Sequence, residues 1–244
     1  MPKGGTRDPS DRRPIVLLSV VYRLWAALRA TVFRGWLVEA GVLSPAGPGR
    51  AADQQAYEAA LEFELARSRG EPIVGLALDW SKCYDRLPLS LLEIVASKVG
   101  LPMALVGPML SAYRQPRRVV VDGMVGQLRE PNCGLAPGCP AATDWLALVM
   151  APWLCKARRV SGSARGRAYV DDLTAWSKGD ACAEQVAQFV DLARRFERDT
   201  GLVLHMGKSC RFAFPRDLAL DLGFDSGPEI RDGFMDLGVQ QVVG

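Results

Sequence analysis

Ala168-Tyr169-Val170-Asp171-Asp172-Leu173-Thr174-Ala175-Trp176 decides how this chain is read. It reads as two short apolar strands joined at a pair of carboxylates. Val, Tyr, Thr and Trp suit a pleated, half-buried surface, and Asp tolerates a turn. Two acids flanked by apolar residues are costly to desolvate unless something neutralises them. A divalent cation is the common solution, and a hard one such as Mg2+ takes oxygen ligands. The alternative is a surface hairpin whose Asp-Asp is simply solvated.

Upstream, Ile73-Val74-Gly75-Leu76-Ala77-Leu78 is a continuous apolar run between Pro72 and Asp79. A run this short, bounded in this way, predicts a strand buried on both faces. Asp79 then stands at the rim of a sheet, as the acids of the hairpin do. If the two strands are neighbours, Asp79 and Asp171 can share metal ions. Two cations about 4 Å apart clamp the attacking and leaving oxygens of a phosphoryl transfer. Taken alone, Asp79 is equally a helix N-cap or a solvated strand end.

Around these stretches the pattern predicts helices over 20–40, 53–69, 89–99, 102–113, 141–156 and 180–200, several of them stopped by glycine. A hairpin is predicted over 117–121 and 124–128, turning at Asp122-Gly123. Residues 132–140 read as a Gly/Pro-rich loop. Short strands over 202–204 and 211–214 flank Gly207-Lys208, and the tail over 215–244 is weakly patterned. This order indicates an α+β domain, an antiparallel sheet backed by helices.

The bulk composition narrows the class. The 244 residues suffice for one large domain or two small ones, and 49% hydrophobic with 23% charged content is that of a globular protein with a core. The net charge of +3 is compatible with a polyanionic partner. Six cysteines without a Cys-x-x-Cys pair, and one histidine, argue against zinc and for a reducing, intracellular setting, nuclear or cytoplasmic. The longest uncharged apolar run, Trp145 to Cys155, falls short of the ~18 residues a membrane span requires. Residues 1–12 read as a disordered lead-in without a signal core.

Asp79 to Pro88, Gly134 to Pro140, Tyr169-Val170-Asp171-Asp172 and Gly207-Lys208-Ser209 resemble, in order and kind, the palm motifs of reverse transcriptases. Arg13-Pro14-Ile15 with Leu17-Leu18-Ser19 and Tyr22-Arg23-Leu24 is similar to the fingers motif of the non-LTR retrotransposon and group II intron branch. Gly49-Arg50 with Asp53-Gln54 is similar to another segment of that branch. The resemblance covers residues 12–240. It implies a polymerase palm, a ferredoxin-like antiparallel sheet backed by helices, with partial fingers and the thumb missing. The implied division is partial fingers over 13–72 and palm over 73–214, with a fingers-derived insert about 101–131. The tail over 215–244 would open a primer-grip-like segment.

The implied activity is RNA-directed DNA synthesis. A primer 3′-hydroxyl attacks a dNTP with two Mg2+ ions, or Mn2+ as a substitute. The partners are an RNA template, a DNA or RNA primer and dNTPs, with no membrane; the oligomeric state is not implied. Carried over by position, Asp79 and Asp171 would be metal ligands, with Asp172 supporting or completing the site. Tyr84 would lie under the incoming sugar and reject a ribose 2′-hydroxyl. Arg13, with Arg12, would grip the triphosphate. Lys208 would stand near the triphosphate as a general acid for pyrophosphate departure. Gly134, Gly138 and Pro140 would belong to the loop against the template–nucleotide pair, where missing side chains let backbone approach.

The sequence also departs from the family pattern. Pro137 stands where a glutamine is usual, and a proline has neither an amide side chain nor a backbone donor. Ala141 and Thr143 replace a usual Ser and Pro. Basic residues at 114, 117, 118, 156, 158, 159, 165 and 167 suit either a template channel or a solvated face. Three rival functions stay open: an inactive truncated relic that only binds nucleic acid, an RNA-templated RNA polymerase, and a non-enzymatic binding module.

Overall fold

The chain is described by a computed structural model over residues 16–41, 52–160, 164–219, 222, 228–236 and 239–243. In chain order its elements are helices α1 (Val20–Glu39) and α2 (Ala52–Ser68), strand β1 (Ile73–Leu78), and helices α3 (Cys83–Arg86), α4 (Leu89–Lys98) and α5 (Met103–Arg114). Hairpin β2 (Val120–Val121)/β3 (Met124–Val125), helix α6 (Ala142–Ala157) and hairpin β4 (Arg165–Tyr169)/β5 (Asp172–Lys178) follow. Helix α7 (Cys182–Thr200), strand β6 (Cys210–Phe214) and short strands β7 (Glu229–Ile230), β8 (Gly233–Asp236) and β9 (Val239–Val242) complete the order.

β1 is central in a five-stranded sheet ordered β4-β5-β1-β6-β7. Its apolar run has work on both faces. Val74, Leu76 and Leu78 join the core beneath the helices, with Leu173 and Ala175 of β5 and Val186, Phe189 and Val190 of α7. Ile73 joins a second layer with Phe63 of α2, Trp176, Phe212 and Phe234. α6 and α7 therefore cover one face, while α2 and the β8–β9 hairpin cover the other. The fold is α+β, a sheet backed by helices.

Gly75 makes the second layer possible. A Cβ there would sit 2.2 Å from the Phe212 ring, so the missing side chain is the space that Phe212 fills. Gly166 of β4 has the same use on the helical face, where a Cβ would meet that of Ala157 at 2.8 Å. α1 begins at Ser19, whose Oγ accepts the Tyr22 N–H at 3.1 Å. It docks on α6 through Phe33 against Trp145, ring centroids 5.0 Å apart. Val20, Val21, Leu24 and Leu28 stay on its outer side.

Three details differ from the sequence reading. Residues 202–204 form no strand; they pair with the main sheet through a single bridge, Trp80 to Leu204, because β1 has already ended. β6 and β7 run parallel, so the edge of the sheet is not antiparallel. The hairpin over 117–128 narrows to β2 and β3 with one further bridge, Arg117 to Arg129. Arg13 and the lead-in over 1–12, like Gly49-Arg50, lie outside the described residues. Among the described residues no helix is long and apolar enough to cross a membrane.

Candidate active site

The β1–β5 ladder is antiparallel and ends at Leu78 opposite Leu173. The next residue on each strand is an acid, Asp79 and Asp172, and neighbouring strands lie about 5 Å apart. Leu78 and Trp80 both face the α7 layer, Trp80 against Phe196 at 5.3 Å. Asp79 between them turns the other way, and strand alternation turns Asp172 the same way. Asp171 stands beside Asp172 in the turn after Val170, a non-glycine residue at φ 59°. The acids at positions 79, 171 and 172 thus gather at one rim of the sheet.

The Cys83 thiol reports the convergence. It is buried at the start of α3, and burial pushes its pKa well above the ordinary range. The charges of Asp171 and then Asp79 push in the same direction, so both carboxylates bear on one sulfur. Tyr84 is half-buried next to it, and its phenol is likewise held protonated by burial first and then by the charges of Asp171 and Asp144.

Lys208 comes to Asp79 through a bent turn. Its backbone N–H and that of Ser209 both donate to the His205 carbonyl, at 3.0 and 2.9 Å. The turn is fastened to the end of β1 at two atoms: the His205 N–H donates to the Asp79 carbonyl at 2.8 Å, and the Asp79 N–H donates to Ser209 Oγ at 3.1 Å. Lys208 Nζ then lies 3.3 Å from Asp79 Oδ2.

The loop over 132–140 is docked against the same segment. The Leu89 N–H donates to the Asn132 carbonyl at 3.0 Å, and the Gly134 and Leu135 N–H groups donate to the Leu87 and Tyr84 carbonyls, each at 2.8 Å. Gly134 has φ 94°, and a Cβ there would stand 3.1 Å from the Asp85 carbonyl oxygen. Gly138, at φ 88°, faces open space. Pro137 and Pro140 are half-buried. The Tyr22 hydroxyl and the buried Cys139 thiol share a 3.3 Å hydrogen bond that ties this loop to α1. Of the basic residues, Arg114 is paired with Glu93 at 2.7 Å and Arg167 stacks 5.5 Å from the Trp176 ring centroid. Lys156, Arg158, Arg159 and Arg165 are exposed.

Three participants escaped the sequence reading. Arg34 of α1 grips Asp144 of α6 with two hydrogen bonds, at 3.0 and 3.1 Å. Arg231, beside β7, donates to the Gly207 carbonyl at 3.1 Å and pairs with Glu229 at 3.0 Å. Cys83 is the third. Each depends on a contact distant in sequence or on a layer that periodicity does not reveal.

Among the described residues no three His, Cys, Asp or Glu side chains group closely enough to cage a metal ion. Mg2+ is commonly held by one or two carboxylates while substrate phosphates and waters supply the rest. The donors at this rim are hard oxygens, so the residues fit that ion.

No protein-family model and no curated protein matches the chain. Solved structures do. The chain is similar to telomerase. It superposes on apo telomerase from Candida tropicalis with a TM-score of 0.59 at 11% identity, covering 91% of this chain and 39% of that one. Against the same apo protein truncated from its C-terminal domain the TM-score is 0.58 at 11% identity, covering 91% and 44%. Against Candida tropicalis telomerase with a TWJ fragment of telomeric RNA it is 0.58 at 10% identity, covering 84% and 34%. The chain spans less than half the length of these proteins. At such identities the likeness is one of fold: a five-stranded sheet backed by helices, like a reverse-transcriptase palm.

Proposed function

We propose that this chain is the palm-bearing part of an RNA-directed DNA polymerase of a retroelement. It directs a primer 3′-hydroxyl onto the α-phosphate of a dNTP and releases pyrophosphate. The observation that carries this reading is the register that sets Asp79 next to the Asp171-Asp172 turn at one sheet rim. The telomerase-like fold supports it, since telomerases are reverse transcriptases. The non-LTR and group II intron assignment rests on the motifs around Arg13-Pro14-Ile15 and Tyr22-Arg23-Leu24.

Asp79 and Asp171 would hold Mg2+, or Mn2+, with Asp172 beside them. The bound ions supply charge neutralisation and activate the attacking hydroxyl. The chain's own groups do the rest. Tyr84 closes the space under the incoming sugar and excludes a 2′-hydroxyl. Gly138 and Pro140 leave backbone close to the template–nucleotide pair. Lys208 offers an ammonium beside the acids, and Arg13 a guanidinium for the triphosphate. Template and primer contact exposed cations such as Arg158 and Arg159 without sequence readout.

Primer extension on poly(rA)/oligo(dT) with Mg2+ or Mn2+ tests this. The expected result is extension that Asp171→Ala lowers at least a thousandfold. Extension that survives Asp171→Ala sinks the assignment. One observation favours a second reading, the nucleic-acid-binding relic: Pro137 supplies no amide where the family pattern has one. Salt-sensitive RNA binding without any extension would establish that reading instead.

A further inference from the structure

We propose that Lys208 is the resident counter-ion of Asp79, positioned by Arg231, and that a divalent cation must displace its ammonium to reach that carboxylate. This rests on the reading of Asp79 as a metal ligand. The pair is observed, not only adjacent in register: Nζ stands 3.3 Å from Oδ2, with the lysine side chain 50% and the aspartate side chain 29% exposed. Both partners are wet enough for an ion to enter, and the lysine stem is flexible enough to swing aside.

Its backbone is not free to follow. The 205–209 turn holds both main-chain polar groups of Asp79, through the His205 N–H and Ser209 Oγ. Ser209 is fully buried, so this fastening is shielded from water. From the far side, Arg231 Nη2 donates to the Gly207 carbonyl at 3.1 Å. Arg231 is itself fixed, by its own N–H on the Arg211 carbonyl at 2.9 Å and by Glu229 at 3.0 Å. Further along the same edge, Arg211 Nε donates to the Pro228 carbonyl at 2.9 Å. The β6–β7 edge therefore holds the turn from the side away from Asp79.

An ammonium and a metal ion held on the same carboxylate repel each other, so occupancy by Lys208 and by a metal ion compete. The ammonium keeps the rim acids partly neutralised until a metal-bearing nucleotide arrives. Arg231 touches no reacting atom; it is a positioning residue.

Mn2+ binding to the full chain, followed by the electron paramagnetic resonance signal of the free ion, tests the proposal, with Asp79→Asn marking the site. An exposed ion pair of this kind is worth a small factor, so Lys208→Gln should tighten Mn2+ about two- to fivefold. Lys208→Arg should keep the wild-type affinity. Arg231→Gln should tighten it by less, and the double variant should match Lys208→Gln. Unchanged or weaker binding in Lys208→Gln overturns the counter-ion. A response to Lys208→Gln with none to Arg231→Gln overturns the positioning role. No Mn2+ binding in any of the proteins overturns both. Should the lysine response hold while no protein extends a primer, the counter-ion stands and the polymerase reading falls.

Discussion

Replacing Gly75 with alanine puts a methyl carbon 2.2 Å from Cζ and 2.5 Å from Cε2 of Phe212, and 2.8 Å from the Ala175 carbonyl oxygen. Carbon–carbon contacts are comfortable at about 3.5–4.0 Å, so the ring has to withdraw by more than about 1 Å. It has little room. Phe212 is fully buried, stacked on Phe234 at 4.7 Å and tilted against Phe63 at 5.2 Å. The carbonyl cannot retreat either, because Ala175 is paired with Leu76 in the central ladder. Overpacking costs about 1–3 kcal/mol, and a contact with fixed backbone puts this site near the upper end. Relief of the glycine's conformational entropy returns about 0.5–1 kcal/mol. The net expectation is a loss of about 2 kcal/mol, or about 4–8 °C in Tm for a chain of this size. Urea unfolding followed by circular dichroism measures it. Phe212→Ala alone should cost about 3–5 kcal/mol. The double variant should be better than additive by about 1 kcal/mol, the carbonyl clash remaining. Gly75→Ala at or above wild-type stability, or strictly additive effects, would refute the packing argument and with it the account of what centres β1.

Tyr84→Ala should raise the ratio of rNTP to dNTP incorporation at least tenfold in primer extension; an unchanged ratio removes the steric role, and rNTP preference in the unaltered chain favours an RNA polymerase. Arg34→Met should destabilise the protein more at pH 8 than at pH 5 in urea melts. Asp144 is buried and its pKa is already raised by that burial against the opposing pull of Arg34; without the guanidinium the folded value climbs further. A carboxyl whose folded pKa exceeds its unfolded one loses stability as pH rises from about 4 toward the folded value. A pH-independent cost would argue against a buried charge. Iodoacetamide at pH 8 should modify Cys133 and Cys155 first, since both are exposed, while Cys83 and Cys210 resist. Burial holds both thiols neutral, that of Cys210 pushed up to about 11. The unfolded thiols ionise near pH 9, so the two contribute stability that falls as pH rises above 9; Cys83→Ala should flatten that decline.

Local chemistry explains what could be read ahead of the structure. The run from Ile73 to Leu78 is apolar at every position except a glycine, and a six-residue segment of that kind has few alternatives to a strand covered on both sides. Asp122 and Gly123 have φ of 49° and 81°, as a two-residue hairpin turn of that composition demands. Gly41, Gly70, Gly100 and Gly201 all sit at positive φ just past a helix, where a side chain is strained. What could not be read is pairing at a distance. Arg34 and Asp144 are separated by 110 residues, and nothing in either neighbourhood announces the other. The parallel placement of β7 follows from where the chain returns after β6, in a stretch with no periodic pattern of its own. Residues 202–204 are apolar enough for a strand, yet the edge they approach has already turned away at Trp80.

Lys208 shows how this limit bears on chemistry. By the resemblance of its motif it would be a cation close to a triphosphate, and a general-acid role would follow from that placement. The β1–β6 register adds a second placement by pairing Ala77 with Cys210, which draws the preceding turn alongside Asp79. The two are compatible in sequence along a reaction: the ammonium would rest on Asp79 until a metal ion takes its place, and would then be free to turn to another partner. A lysine needs the same charge in both states, and what changes is its partner. If a metal ion takes Asp79 in this way, metal entry and release of the ammonium are coupled through one carboxylate, so a variant that frees the carboxylate early should bind metal more tightly and extend a primer more slowly. Lys208→Gln that gained metal affinity with no loss of extension rate would leave the lysine as a counter-ion and take away its role as acid.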